Sequence, residues 1–171
     1  MLGAAAITAC GDDDDDNGGS PNTNDEGSSS FVISGDQEGT ASGTSNLRNA
    51  EVGFGSGQYR LTLNIGAPGF GAIVMNSGLL DAPFDIQENT VYVLGTFGDV
   101  DLGEADLYVA YMTDDFNYLP VETEGTLEFS DITANRAEGV FEFSLSATDN
   151  FAGGEVRSVT VTDGTFSAVI Q

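Results

Sequence analysis

Four acidic side chains within one short stretch have the spacing of a cation site: Asp99, Asp101, Glu104 and Asp106. Carboxylate oxygens gathered on one side of a loop are typical ligands of Ca²⁺. An EF-hand is excluded, because its sixth position needs glycine and is Glu104 here, and its twelfth needs glutamate and is Ala110. The alternative is an ordinary acidic connection between strands, since loops commonly collect Asp and Gly. Ca²⁺ is the only cofactor that the sequence suggests.

A second group combines aromatic rings, carboxylates and an amide: Tyr111, Asp114, Asp115, Phe116, Asn117 and Tyr118. Such a group suits sugars, whose apolar faces stack on aromatic rings and whose hydroxyls donate to acids. The alternative is a plain hairpin, because strands that flank a turn are usually rich in aromatic residues. In that case Tyr111 ends one strand and Tyr118 begins the next.

Most catalytic constellations are excluded by composition. The chain has no histidine and no lysine, so it has no Ser-His-Asp triad, no zinc site of the His/Cys kind and no phosphate-binding Gly-Lys loop. Paired carboxylates of the glycosidase kind are the remaining option, and nothing in the sequence singles out one pair. We therefore predict a protein that is not an enzyme, with a carboxylate-dependent hydrolase as a remote alternative.

The only cysteine of the chain, Cys10, ends the apolar run from Met1. With the preceding Ile7, Thr8 and Ala9, it resembles the lipobox of bacterial lipoproteins. That resemblance implies a diacylglycerol on the Cys10 sulfur and removal of the peptide before it. We therefore expect residues 1–10 to be the remnant of a signal peptide. Its positively charged leader is missing, so we expect a basic segment to have been lost upstream of Met1.

Residues 11–30 form a polar segment of low complexity that starts with Gly11 and the aspartates Asp12 to Asp16. Such a segment buries too little apolar surface to offset its chain entropy, so we predict a disordered acidic tether. Acids close behind a lipidated cysteine also resemble the surface-export signals of lipoproteins from Bacteroidota-type bacteria. The resemblance implies a lipid anchor in the outer membrane, with the cell surface favoured over the periplasmic face.

The net charge of −24 comes from 28 acids against four basic residues. This balance repels phosphate backbones, so we predict no nucleic-acid partner. The chain also lacks a basic cluster for anionic lipid, which leaves the lipid anchor as the expected contact with the membrane. We further expect adaptation to salty water, where ions screen the repulsion among the acids.

Residues 31–171 contain every aromatic residue and have the periodicity of β-strands. Apolar and polar residues alternate from Tyr59 to Ile65, and a continuous apolar run extends from Phe70 to Met75. No stretch sustains a period of 3.6 residues. The only helical candidate is a turn or so within Leu79–Ile86, interrupted by Pro83.

The C-terminal strands surround an Asp163-Gly164 pair, which is a strong signal for a two-residue β-hairpin. A hairpin there would pair Val161 with Phe166 and Val159 with Ala168. The four apolar side chains would then share one face of the sheet.

Three segments carry a further resemblance: 125–129 (GTLEF), 138–145 (EGVFEFSL) and 159–166 (VTVTDGTF). Together they resemble the C-terminal block of uncharacterised lipid-anchored β-domains from bacterial cell envelopes. The matching residues are core and turn residues, so the resemblance implies fold and location and transfers no catalytic residue.

These observations predict one all-β domain at 31–171, an antiparallel β-sandwich of about nine or ten strands. A closed, calycin-like barrel with a ligand cavity is the alternative. For function, we expect a non-catalytic envelope lipoprotein with a structural or contact-mediating domain and an envelope protein as a candidate partner. The alternative is a surface lipoprotein that binds a glycan or a small solute.

Overall fold

A computed structural model describes residues 26–113, 117–118, 120–148 and 155–171. Its elements follow one another in the order β1 (Ser28–Gly35), β2 (Gly39–Glu51), β3 (Tyr59–Ala67), β4 (Gly71–Asn76), β5 (Val91–Gly95), α1 (Phe97–Leu102), β6 (Leu107–Met112), β7 (Asn117–Tyr118), β8 (Pro120–Ile132), β9 (Arg136–Thr148) and β10 (Val156–Ile170). The prediction of an all-β domain is confirmed.

The strand pairing closes on itself. The order is β4-β3-β2-β1-β10-β9-β8-β5-β6, and β6 pairs back with β4. Nine strands therefore form a ring, and the two-residue strand β7 adds to β6 beside β5. This is the barrel that the sequence left open beside the sandwich, because a sandwich consists of two separate sheets. Both architectures bury one face of every strand, so the alternation of residues did not separate them.

Most neighbouring strands run antiparallel, as predicted, but β5 and β6 run parallel. Parallel neighbours need a crossover connection, and residues 96–106 with helix α1 supply it. A second parallel contact joins the ends of β10 and β2, where Val169 lies opposite Asn46. Strand β1 separates β10 from β2 along most of their length, but β10 extends beyond the start of β1 at Ser28 and there pairs with β2 directly.

The interior of the barrel is filled by side chains. Leu47, Leu63 and Ile73 are fully buried along neighbouring strands, and Phe129 packs edge-on against Tyr92 and Phe166 at centroid distances of 5.8 and 5.6 Å. Alternation along each strand places these residues inside and polar ones outside. The part of the barrel that the structure describes is thus a packed core.

At each end of the barrel, one side chain forms hydrogen bonds with the turns or loops of that rim. At the upper rim, which carries the β1–β2 and β3–β4 turns, the buried Tyr111 hydroxyl shares its proton between the side-chain carbonyl of Gln37 and the backbone carbonyl of Phe70. At the lower rim, which carries the β2–β3 turn, the amide of Asn49 donates to the Phe84 carbonyl at 2.8 Å and accepts from the Phe84 amide at 3.1 Å. The Asn49 side chain thus pairs with the 77–90 loop as a strand would.

The predicted hairpin at Asp163-Gly164 is wrong, because β10 continues through both residues. Between the pairs Val161–Phe143 and Gly164–Phe141, β10 has two residues where β9 has one. This extra residue is a β-bulge. Asp163 takes a left-handed φ of 51° there. The inserted residue shifts the inward positions from odd to even numbers, so Val159, Val161, Phe166 and Ala168 all point inward. A hairpin and a bulge produce the same apolar pattern, and only the pairing distinguishes them.

Two further predicted boundaries need correction. Strand β1 begins at Ser28, inside the segment predicted as tether, and the Ser45 hydroxyl donates to the Ser28 carbonyl at 2.8 Å. Serines there give no apolar signal. Residues Leu79–Ile86 form no helix, because Pro83 lacks an amide hydrogen and the chain instead pairs Leu80 with Tyr59. The helix lies at Phe97–Leu102 and overlaps the start of the stretch 99–106 that was predicted as an acidic loop.

Candidate functional site

The acids of the barrel wall are concentrated on β8 and β9. Six outward-facing acids lie on these two neighbouring strands: Glu122, Glu124, Glu128, Asp131, Glu138 and Glu142. Asp131 and Glu138 are directly opposite each other, a pairing of like charges that weakens a sheet. One side of the barrel is therefore strongly negative.

The opposite side of the barrel has outward side chains without a single acid. In the ring, β2 lies four strands away from β8 in one direction, and β3 lies four strands away from β8 in the other direction. Aligned rows cross β2, β3, β4 and β6, and we call the residues at their outward positions the acid-free face: Thr44, Gly66, Ala72 and Met112; Asn46, Asn64, Val74 and Ala110; Arg48, Thr62, Asn76 and Tyr108. Of these, Asn76 is buried, at 7% exposure. Between Gly39 and Leu80 the only acid is Glu51, against Arg48 and Arg60.

Hydrogen bonds between side chains hold the acid-free face in one arrangement. Asn64 donates to the Asn46 side-chain oxygen at 3.0 Å, and the Thr62 hydroxyl donates to the Asn76 side-chain oxygen at 2.6 Å. Small residues such as Ala72 and Ala110 keep the surface between these pairs low. A partner can cover a face of this kind without burying any carboxylate. Burial of an unpaired carboxylate costs free energy, and a partner on the acidic side of the barrel would incur that cost.

A cleft of about 750 Å³ lies at the upper rim and overlaps the first row of the acid-free face, from Thr44 to Met112. Its lining includes the glycines Gly43, Gly66 and Gly71 and the polar residues Asp36, Gln37 and Arg157. The glycine at 66 has no positive φ, and an added Cβ would come no closer than 3.7 Å to the Thr44 hydroxyl. The backbone therefore does not require glycine there, and the missing side chain leaves the cleft open.

The predicted sugar-binding group is split by the structure. Tyr111 is fully buried in the core and its hydroxyl serves the rim contact described above, so its ring is not available to stack on a sugar. Asn117 and Tyr118 form β7, opposite Met112 and Tyr111, as the hairpin alternative predicted. Asp114, Asp115 and Phe116 lie outside the described residues. Met112 and Thr113, which precede them, line the cleft.

Two of the four predicted calcium ligands, Asp99 and Asp106, have hydrogen-bond partners within the fold. Asp99 lies in the first turn of α1, where its carboxylate accepts from the Thr96 amide at 2.7 Å and from the Thr96 hydroxyl at 2.8 Å. Asp106 accepts from the Val93 amide at 2.7 Å. Asp101 and Glu104 are exposed. Within the described ranges, no three acidic side chains come together in a group that could hold a metal ion.

The contact between Thr96 and Asp99 is a capping box, since the Asp99 amide in turn donates to the Thr96 hydroxyl at 3.3 Å. The hydrogen bond from the Thr96 amide, and after it the one from the hydroxyl, lowers the pKa of the Asp99 carboxyl from its ordinary value of 3.8. The capping box therefore explains the position of Asp99 at the start of a short helix.

Cys10 and the acidic segment behind it lie outside the described residues, so lipidation stays a prediction. The described chain contains no helix with the length and apolarity to cross a membrane. Comparison with protein-family models, curated proteins and solved structures finds no match.

No sequence motif marks the acid-free face. Its signal is nevertheless present in the sequence as a gap in the acids: Glu51 is the single acid in the segment that becomes β2, β3 and β4. A count of charge along the chain finds this gap. The ring order was needed to show that the segment lies opposite the six acids of β8 and β9.

Proposed function

We propose that the protein is a non-catalytic lipoprotein of the bacterial outer membrane, anchored through Cys10, whose barrel contacts another envelope component through the acid-free face. The observation that carries the contact is the division of charge around the barrel, with six acids on β8 and β9 and none on the face opposite. Interface cores are depleted of charged residues, and the acid-free face has Arg48 as its one charged residue across four aligned strands.

A photoreactive amino acid at Asn64, in the middle of the acid-free face, tests the contact in living cells. Ser144 is the matched control, because it is a small neutral residue that faces outward in the middle of β9. We expect a covalent adduct with a second envelope component from position 64 and none from position 144. Equal adducts at both positions, or an adduct only at 144, would contradict the proposal.

A second candidate function is the binding of a small neutral glycan or solute in the upper-rim cleft. The open space at Gly66 favours it, and so does the position of Met112 and Thr113 beside the predicted aromatic and acidic group. Titration calorimetry with neutral oligosaccharides is the test, with Gly66→Leu expected to abolish the heat.

The control for Gly66→Leu is Gly98→Leu. An added Cβ at Gly98 also lies 3.7 Å from a threonine hydroxyl, that of Thr96, but the site is on α1 and outside the cleft. Binding that survives Gly66→Leu, or that both variants lose alike, would remove the cleft as the site.

A further inference from the structure

The turn between β2 and β3 presents an apolar tip at the lower rim. Phe54 is fully exposed, at 109% of the reference area for its type, and Val52 beside it is 39% exposed. The flanking Gly53 and Gly55 have φ values of 82° and 71°, in the left-handed region that favours glycine. The backbone therefore turns on the glycines and leaves the ring of Phe54 pointing into solvent.

The tip is held in shape by its own hydrogen bonds. The Val52 amide donates to the Gln58 carbonyl at 2.6 Å, and the Ser56 hydroxyl donates to the Val52 carbonyl at 2.6 Å. The single acid of the hairpin, Glu51, accepts from the Gly57 amide at 2.6 Å. An apolar residue that is displayed by an ordered loop loses little entropy on binding, which favours a role in contact over an accidental exposure.

The hairpin that carries the tip is less acidic than the chain as a whole, while the 77–90 loop at the same rim carries Asp81, Asp85 and Glu88. Arg48 and Arg60 lie on the two strands that lead to it, so the hairpin has two cations and one acid in a chain with a net charge of −24. An exposed aromatic ring with arginines behind it fits the interface of a bilayer, where the ring enters the headgroup region and guanidinium groups bind phosphates. The acidic side, β8 and β9, would be repelled by the same surface.

We propose that Phe54 and Val52 insert into the lipid bilayer that carries the anchor, so that the barrel stands on the membrane through its lower rim. This inference rests on the lipid anchor proposed above. Burial of one Phe and one Val is too little to hold a free protein on a membrane, since even a single acyl chain binds only marginally. The tip acts once the anchor has raised its local concentration at the surface.

The reach of the chain is compatible with this arrangement. Along β2 and its turn, Phe54 lies eleven residues beyond Gly43, the partner of Ser29 at the start of β1, which is at most about 37 Å at the rise of a strand. Fifteen residues lie between Cys10 and Glu26, and the sixteen steps that join them have a contour length of about 55 Å. A lipid on Cys10 and a tip in the same bilayer therefore do not strain the chain between them.

The composition of the chain allows a direct test, because it has no tryptophan and one cysteine. In the full chain with Phe54→Trp, the unlipidated Cys10 thiol is coupled to a maleimide phospholipid in phosphatidylcholine vesicles. We expect the Trp emission to shift to shorter wavelength and to be quenched by brominated acyl chains. Coupling through the thiol makes the result independent of whether cells lipidate Cys10, so failure of the tip and failure of the anchor are distinguishable.

Phe97→Trp is the matched control, because Phe97 is 57% exposed but lies on α1 among acids. We expect its emission to be unshifted and unquenched on the same vesicles. Identical, unshifted spectra from both positions would overturn the proposal. A shift at position 54 that also occurs in the lipid-free protein and grows with its concentration would overturn it in favour of contact with a second copy.

Discussion

At the scale of single residues, the structure assigns polar groups to places where they complete the fold. Asp99 illustrates this, since its carboxylate accepts two hydrogen bonds from Thr96 and begins helix α1. Its folded pKa is lower than the ordinary carboxyl value of 3.8, so its contribution to stability is present above pH 3.8 and is lost as the pH falls through the folded pKa.

Asp99→Ala is therefore expected to lower the melting temperature at pH 7. The difference from the natural chain should shrink as the pH falls through the folded pKa, which lies below 3.8, because the carboxylate is then protonated in both states. Thermal melts of the two chains at pH 7 and in acid measure this. Asp101→Ala, an exposed acid of the same helix, is the control with little expected effect. A difference for Asp99→Ala that persists undiminished in acid would contradict the capping role.

The sequence predicted which strand a polar residue lies on better than it predicted the hydrogen-bond partner of that residue. Tyr111 lies in a segment that was correctly predicted as a strand, yet its ring was predicted to belong to a sugar-binding surface. Whether a tyrosine faces inward depends on a partner for its hydroxyl, and Gln37 and Phe70 come from turns far away in the chain. Asn49 is a similar case, because its partner Phe84 lies in a loop with no local signal.

At the scale of elements, β10 shows where sequence patterns are sufficient and where they are not. Inward residues were assigned correctly at Val159, Val161, Phe166 and Ala168. The turn type was wrong, since Asp163 can take a left-handed φ in a bulge as readily as in a hairpin. Strand β10 pairs with β1 on one side and with β9 on the other, before and after these residues, and this pairing is non-local information.

The bulge makes a specific prediction about Asp163. A β-branched residue is poorly tolerated at a φ of 51°, so Asp163→Val should reduce the free energy of unfolding by about 1–2 kcal/mol. The control is Thr162→Val at the neighbouring exposed position, which should change it by less than about 0.5 kcal/mol. Urea denaturation measures both. Equal effects of the two substitutions would contradict a left-handed bulge at Asp163.

At the scale of the whole molecule, the division of charge dominates. The acids of β8 and β9 repel one another across neighbouring strands, and Asp131 faces Glu138 directly. The sequence showed the excess of acid, and it also predicted that each strand buries one face. The placement of the acids on one side of a closed ring depends on the pairing of β4 with β6, which no local pattern contains.

This distribution predicts a stability that depends on salt. Added NaCl shortens the screening length from about 10 Å at 0.1 M to about 3 Å at 1 M. The melting temperature should therefore rise with NaCl over this range. A variant with Glu124, Glu128 and Glu142 replaced by Gln should melt higher at low salt and respond less to NaCl, because part of the repulsion is already removed. A melting temperature that does not rise with salt would contradict this account.

The most direct test of the proposed role is the lipid on Cys10, because the location, the tether and the tip contact all depend on it. The measurement is the incorporation of radiolabelled palmitate in a bacterium that expresses the protein, with Cys10→Ser as the comparison and membrane fractionation of both. We expect label in the natural protein only, and release of the Cys10→Ser variant from the membrane fraction. Absence of label, or a variant that stays in the same fraction as the natural protein, would contradict the account.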